Sequence, residues 1–193
     1  MLMPLIRFLT VALAVFLPFL EEAQAGVTIH YEGRAESAAA VDGALRMLTS
    51  RAHALGWKVD DASAEDVSLK RVIDEKDVPY RGAVRGLVLR PGLNCEPLFV
   101  QFDSSFFMQD FVKTQFAGPD VHIKVVELLR QLKPFLVTLK IEDEGEYWET
   151  NDKKKLEMHI ATVNSLIREM KGKTSGLQGP VTLPNGRIVD LMQ

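Results

Sequence analysis

The chain has 193 residues, a quarter of them charged, and a formal net charge of −3. That mild acidity excludes the basic stripe that a nucleic-acid partner or an anionic membrane surface demands, because phosphates are neutralised by Lys and Arg. The single cysteine, Cys95, excludes an intramolecular disulfide, so the fold is held by packing alone.

The chain opens as a secretory signal peptide. Met1 to Arg7 carries one positive charge, and Phe8 to Leu20, FLTVALAVFLPFL, is an apolar run. Ala23-Gln24-Ala25 then places small residues at the two positions a signal peptidase reads. A membrane-spanning helix needs about 20 apolar residues. The run is shorter, and extending it backwards meets Arg7 and Pro4. Cleavage is expected after Ala25, giving an exported chain, periplasmic or secreted, that starts at Gly26 and has no stable membrane anchor. A lipid anchor would need a cysteine at that new terminus. Loss of Arg7, Glu21 and Glu22 moves the formal charge to −2. What remains is the size of one domain, long enough to bury roughly two-thirds of its extended-chain surface.

Val27 to Arg34 alternates apolar and polar residues and reads as a strand with Val27, Ile29 and Tyr31 on one face. Ser37 to Leu55 is helical, with Val41, Ala44, Leu45, Leu48, Ala52 and Leu55 at helical spacing and Gly56 as a stop. Trp57 to Asp61 is a short strand, suggesting a β-α-β start. Ala62 to Arg81 follows neither period. Ala83 to Arg90 and Glu96 to Asp103 are strands, and the Pro, Gly and Asn between them predict a hairpin with Cys95 in its loop. The aromatic run Phe99, Phe102, Phe106, Phe107, Phe111 and Phe116 reads as core, since Phe has no polar handle. Phe111 to Gln115 is expected to add a strand to the hairpin.

Gly118-Pro119-Asp120 opens a helix, with Pro at the first helical position and Asp at the positive end of the dipole. Val121, Val125, Leu128, Leu129 and Leu132, with Ile123 and Val126, make it apolar around much of its circumference. Phe135 to Ile141 is a strand and Glu142 to Glu149 an acidic loop. A last long helix runs from about Asp152 to Met170, capped by Thr150 or Asn151, with Leu156, Ile160, Val163, Ile167 and Met170 on one face. Residues 26–171 thus form a single α+β domain: a mixed, largely antiparallel sheet with about three helices packed mainly on one face. Residues 172–193 read as a linker and a small C-terminal hairpin turning at Pro184-Asn185-Gly186.

Chemistry concentrates in two segments. Lys113 and Gln115 end a strand, and His122 lies in the first turn of the helix that follows. Asp143, Glu144, Glu146, Tyr147 and Trp148 follow the next strand. If both strands share a sheet, these eight residues converge at one edge as a ligand-binding site. Carboxylates with His122 suit a divalent metal, and a carboxylate with Lys113 suits acid/base work. The spacings of known metal motifs, the nucleophile elbow and the phosphate-binding loop are all absent, so no metal, cofactor or catalytic residue is assigned. The same cluster has a purely structural account, because acidic groups before a helix stabilise its exposed amides. Lys153-Lys154-Lys155 opens that helix unfavourably, and the preceding acidic residues compensate it.

The runs FVKTQFAGPDVH (Phe111 to His122) and DEGEYWET (Asp143 to Thr150) resemble the paired KTQ[FY]A and DEGxYWE segments of a bacterial family of uncharacterised proteins. The resemblance covers about the C-terminal half of the exported chain. It brings no established activity; it implies that Lys113, Gln115, Asp143, Glu144, Tyr147 and Trp148 form one surface. The sequence therefore predicts an exported protein that binds an unidentified small molecule or protein. The alternative is a small metal-assisted or acid/base hydrolase using Lys113, His122 and Asp143 to Glu149.

Overall fold

In a computed structural model the described residues are 26–193. The expected signal peptide and its Ala25 cleavage position lie outside them. Strand β1 (Thr28–Arg34) alternates as its sequence dictates, burying Ile29 and Tyr31 while His30, Glu32 and Arg34 face the other way. It is the centre of a three-stranded antiparallel sheet, between β6 (Phe107–Lys113) and β7 (Thr138–Asp143). Helix α1 (Ala38–Ala54) follows, capped by the Ser37 hydroxyl, which accepts from Ala40 N at 3.2 Å. Gly56, at φ +74°, ends it, a conformation glycine adopts without strain.

β2 (Lys58–Asp61) does not return to β1. It pairs with the long strand β4 (Lys76–Arg90), so α1 is a crossover between two sheets and the expected β-α-β unit is not formed. β3 (Ala64–Ile73) pairs with the first half of β4 as a two-stranded ribbon, and β5 (Leu98–Asp103) pairs with its second half. Gly86 makes that last pairing possible, because a Cβ there would run into the backbone of Val100 and Gln101.

The run expected to extend the hairpin from Phe111 begins earlier, at Phe107, and hydrogen-bonds to β1 instead. β5 and β6 lie side by side across the Asp103–Phe106 turn but share no backbone ladder. Side chains bridge this seam. The Tyr31 hydroxyl donates to Phe99 O at 2.7 Å, and Arg71 donates to Gln109 O at 2.6 Å and Gln101 O at 3.4 Å. Arg187 donates to Phe111 O at 2.7 Å.

Helix α2 (Pro119–Arg130) buries Val125, Val126, Leu128 and Leu129 with α1 residues Val41, Ala44 and Leu48 against Ile29, Tyr31, Val100 and Val112. The short α3 (Tyr147–Thr150) leads into α4 (Lys153–Lys173). Its cap is Asp152, not Thr150 or Asn151: the carboxylate accepts from Lys154 N at 2.8 Å and Lys155 N at 3.2 Å. Leu156 and Ile160 of α4 cover Val27, whereas Met170 is exposed. Lys155 is compensated by Glu146 of the preceding acidic segment, as expected, whereas Lys153 pairs with Asp120 of α2, outside that segment. The C-terminal hairpin, β8 (Val181–Thr182) and β9 (Ile188–Val189), folds back to bury Ile188. The architecture is α+β, with antiparallel sheets.

Candidate functional site

The end of β6, the first turn of α2 and the end of β7 meet around His122. Thr114 Oγ1 lies 2.7 Å from its Nδ1, and Asp143 lies 3.1 Å from its Nε2. Thr114 and His122 are 0% exposed. Nε2–H donates to the acceptor-only carboxylate, and Nδ1 shares a hydrogen bond with the Thr114 hydroxyl, which also lies 3.4 Å from Val27 O. Asp143 also accepts from Gly145 N at 2.8 Å and Trp148 N at 2.9 Å. Burial works against its charged form. The hydrogen bond and charge of His122, with those two N–H groups, outweigh burial and hold the carboxyl below its ordinary value. Gly145 is required by space, since a Cβ there would sit 3.0 Å from His122 Cε1 and 3.1 Å from Asp143 Oδ1.

The other residues of the sequence-derived site spread out from this junction. Gln115 Oε1 accepts from Val27 N at 3.0 Å, and its amide donates to Asn164 at 3.0 Å. Glu144 accepts from Thr28 N at 2.8 Å. Lys113 turns the other way, to Asp190 at 2.8 Å and Ile188 O at 3.3 Å. Glu146 pairs with Lys155 and, at 3.3 Å, with His159 on α4. Tyr147 and Trp148 are half-buried beneath Arg130, whose guanidinium lies 5.8 and 5.3 Å from their ring centroids and donates to Trp148 O at 2.7 Å. The fold brings His122, Asp143 and the backbone of Trp148 together, with Thr114, which lies in the predicted polar segment but is not among the predicted site residues. Lys113 and Glu146 are held elsewhere. Thr–His–Asp has the connectivity of a nucleophile, base and orienter. Here all three polar ends are inside the core, and what the chain of bonds joins is secondary structure.

A second arrangement is open. The face of the three-stranded sheet opposite the helices forms a groove of about 1120 Å³, walled by β3 and the Asp74-Glu75 turn of the β3–β4 ribbon. Its floor carries His30 and Glu32 of β1, Phe107 and Phe111 of β6, and Lys140 and Glu142 of β7. So several rings expected in the core line a cleft; of the aromatic run only Phe102 is fully buried, at 1% exposure. The ribbon is clamped by Gln109, whose amide accepts from Val72 N and donates to Val72 O, each at 2.7 Å, as a neighbouring strand would. Arg71 anchors it from within, and burial holds that guanidinium below its ordinary value. At one end the Arg187 guanidinium lies 4.1 Å from the Phe111 ring centroid and bonds Glu96 and Asp110. Burial raises the Asp110 carboxyl above its ordinary value even against Arg187.

Cys95 is buried, and burial with the charge of Glu96 pushes its thiol up to about 12, so it is inert as a thiolate. Among the described residues no three His, Cys, Asp or Glu side chains group to hold a metal ion, and no helix is long and apolar enough to cross a membrane.

Comparison with protein-family models, with curated proteins and with solved structures returns no match. The two arrangements are therefore weighed on their geometry.

Proposed function

We propose that the protein is an exported, non-enzymatic binding protein that holds an extended segment of a partner polypeptide in the groove between the β7–β1–β6 sheet and the β3–β4 ribbon. The observation that carries this reading is the composition of the groove. Side chains of both signs, Glu32, Glu142, Arg34 and Lys140, stand beside Phe107 and Phe111. The ribbon adds Val72 and Ile73, 49% and 46% exposed. A small anion or cation site would concentrate one sign. Alternating charge on an aromatic floor suits a chain with alternating side chains.

β7 adds a further feature. It pairs only with β1 among the described strands, so its outer N–H and C=O groups are free to take an added strand beside the groove. In this reading the paired Phe111–His122 and Asp143–Thr150 segments that carry the family resemblance act as the junction that fixes the groove's floor.

The test is selection of linear peptides from a displayed library against the purified protein, followed by affinity measurement on two surface-altered variants. Val72→Asp with Lys140→Glu is expected to weaken the selected peptides at least about tenfold, a 1.4 kcal/mol effect. Tyr147→Ala with Trp148→Ala is expected to leave affinity unchanged in protein that remains folded. Unchanged affinity in the first variant, with loss in the second, overturns the assignment of the groove.

A further inference from the structure

We propose that removal of residues 1–25 delivers a new α-ammonium group, on Gly26, to the carboxylate of Asp190, and that this ion pair fastens the C-terminal hairpin to the start of the first strand. The inference rests on the export reading for the cleavage position, and on the described residues for everything else.

Gly26 is packed against Lys113, Gln115 and Asp190, whereas chain termini are ordinarily loose unless tied down. It cannot drift from its place, because Val27 is pinned on both sides: its N–H donates to Gln115 Oε1 at 3.0 Å and its carbonyl accepts from Thr114 N at 3.2 Å. A Cβ built on Gly26 would lie 3.3 Å from Asp190 Oδ2, 3.3 Å from Gln115 Oε1 and 2.9 Å from Lys113 Cε. Cleavage frees rotation about the Gly26 Cα–C bond, and that rotation swings the amino group into the Cβ position, within reach of the same carboxylate. The close contacts also explain why glycine stands here: any side chain would fill the space beside Asp190.

The carboxylate has one oxygen to offer. Asp190 Oδ1 is taken by Lys113 at 2.8 Å, and Oδ2 is the oxygen turned towards Gly26. Charge around it is unbalanced. Burial pushes the Asp190 carboxyl up, Lys113 opposes that, and Glu96 and Glu144 push it up further. A cation beside Oδ2 would stabilise the charged carboxylate. An uncleaved chain offers a neutral peptide N–H at this point, whereas a cleaved one offers a full positive charge. The bond broken is the Ala25–Gly26 amide, by addition of water. It leaves the Ala25 carboxylate on the departing segment and the amine, which takes up a proton, on Gly26.

The full chain is expressed in a Gram-negative host, and the exported product is purified and its terminus determined by intact mass and N-terminal sequencing. Acylation of the α-amine by an activated ester at pH 7.5 is then followed by mass spectrometry of the N-terminal peptide, for folded protein and for protein in urea. A product starting at Gly26 is expected, with its amine about sevenfold slower to react when folded, as one unit of upward pKa shift implies at pH 7.5. Asp190→Asn is expected to restore most of that rate. If the variant does not fold, the pH profile of the wild-type rate decides: an inflection above that of the unfolded amine supports the ion pair, and an unshifted inflection with a uniformly lower rate, which shielding alone gives, overturns it. A product that keeps residues 1–25 overturns both the export reading and this proposal, and one that starts elsewhere overturns this proposal alone. A product starting at Gly26 whose amine reacts as fast folded as unfolded overturns this proposal and leaves the groove reading intact.

Discussion

His122 shows what a buried histidine does when every polar atom has a partner. Its ring joins Thr114 and Asp143, and Asp143 in turn holds the N–H groups of Gly145 and Trp148. Removing one member of such a set costs more than the bond itself, because the remaining group stays buried without compensation. His122→Ala is expected to lower stability by about 3–5 kcal/mol if it strands the Asp143 charge, and Thr114→Val by about 1–2 kcal/mol. The pH dependence has a definite sign. The folded Asp143 carboxyl is held below its ordinary value. Its contribution is therefore complete above the unfolded value of about 3.9 and is lost as pH falls through the folded one. Urea unfolding at pH 7, 5 and 3 should show a large gap between wild type and Asp143→Asn at the upper two values and a smaller gap at pH 3. A gap of constant size across that range would show that the charge is not what stabilises the junction. The residues of this junction were legible in the sequence as a polar cluster, with Thr114 inside its segment but not among the predicted site residues. Its role was not, because a ligand site and a satisfied buried network use the same residue types, and only burial and partner count separate them.

Among the elements, the β3–β4 ribbon was the least legible and matters most to the groove. Two physical reasons account for the difficulty. Val67, Leu69, Val72 and Ile73 lie in a ribbon reaching beyond the central sheet, where Val72, Ile73 and Val78 are exposed, so burial imposes no clean period on them. Its turn, Asp74-Glu75, has φ of +49° and +61°, the geometry of a tight two-residue hairpin loop built without the usual Asn-Gly or Asp-Gly. The helices were easier to read, because α1 and α2 bury one face against the core and carry explicit caps and stops. The ribbon is held over the groove by Arg71 and Gln109. Arg71→Leu keeps an apolar stem but loses both carbonyl contacts. It is expected to raise amide hydrogen exchange in Ser68–Lys76 at least about tenfold, a 1.4 kcal/mol change in local opening, while α2 exchange stays as in wild type. Equal acceleration in α2 would mean that Arg71 supports the whole fold, not the ribbon.

At the scale of the molecule, two antiparallel sheets meet at the β5–β6 seam, and residues far apart in sequence close it. That is why the C-terminal hairpin reads as an appendage in sequence but docks in structure: its turn is marked locally by Pro184-Asn185-Gly186, whereas its contacts depend on partners as distant as Glu96 and Asp110. Arg187 is the centre of this docking. It bonds Glu96, which is 1% exposed, and Asp110, and it stacks on Phe111 and Phe99. Arg187→Met separates the two contributions, since its stem still packs on the rings while the charge is gone. Glu96 and Asp110 are then buried without their cation, a loss expected to be about 3–5 kcal/mol at pH 7. Asp110 sets how that loss varies with pH. Burial already holds its carboxyl above the ordinary value, so its charged form costs stability at neutral pH, and without Arg187 its pKa rises further. Protonation at lower pH removes that cost. The difference between Arg187→Met and wild type is therefore expected to be largest near pH 7 and to shrink as pH falls towards 5, opposite in cause to the Asp143 effect. Thermal melts at pH 7, 6 and 5 measure it. A difference that stays constant, or grows, as pH falls would show that packing on Phe111 and not the paired charges holds the hairpin against the seam.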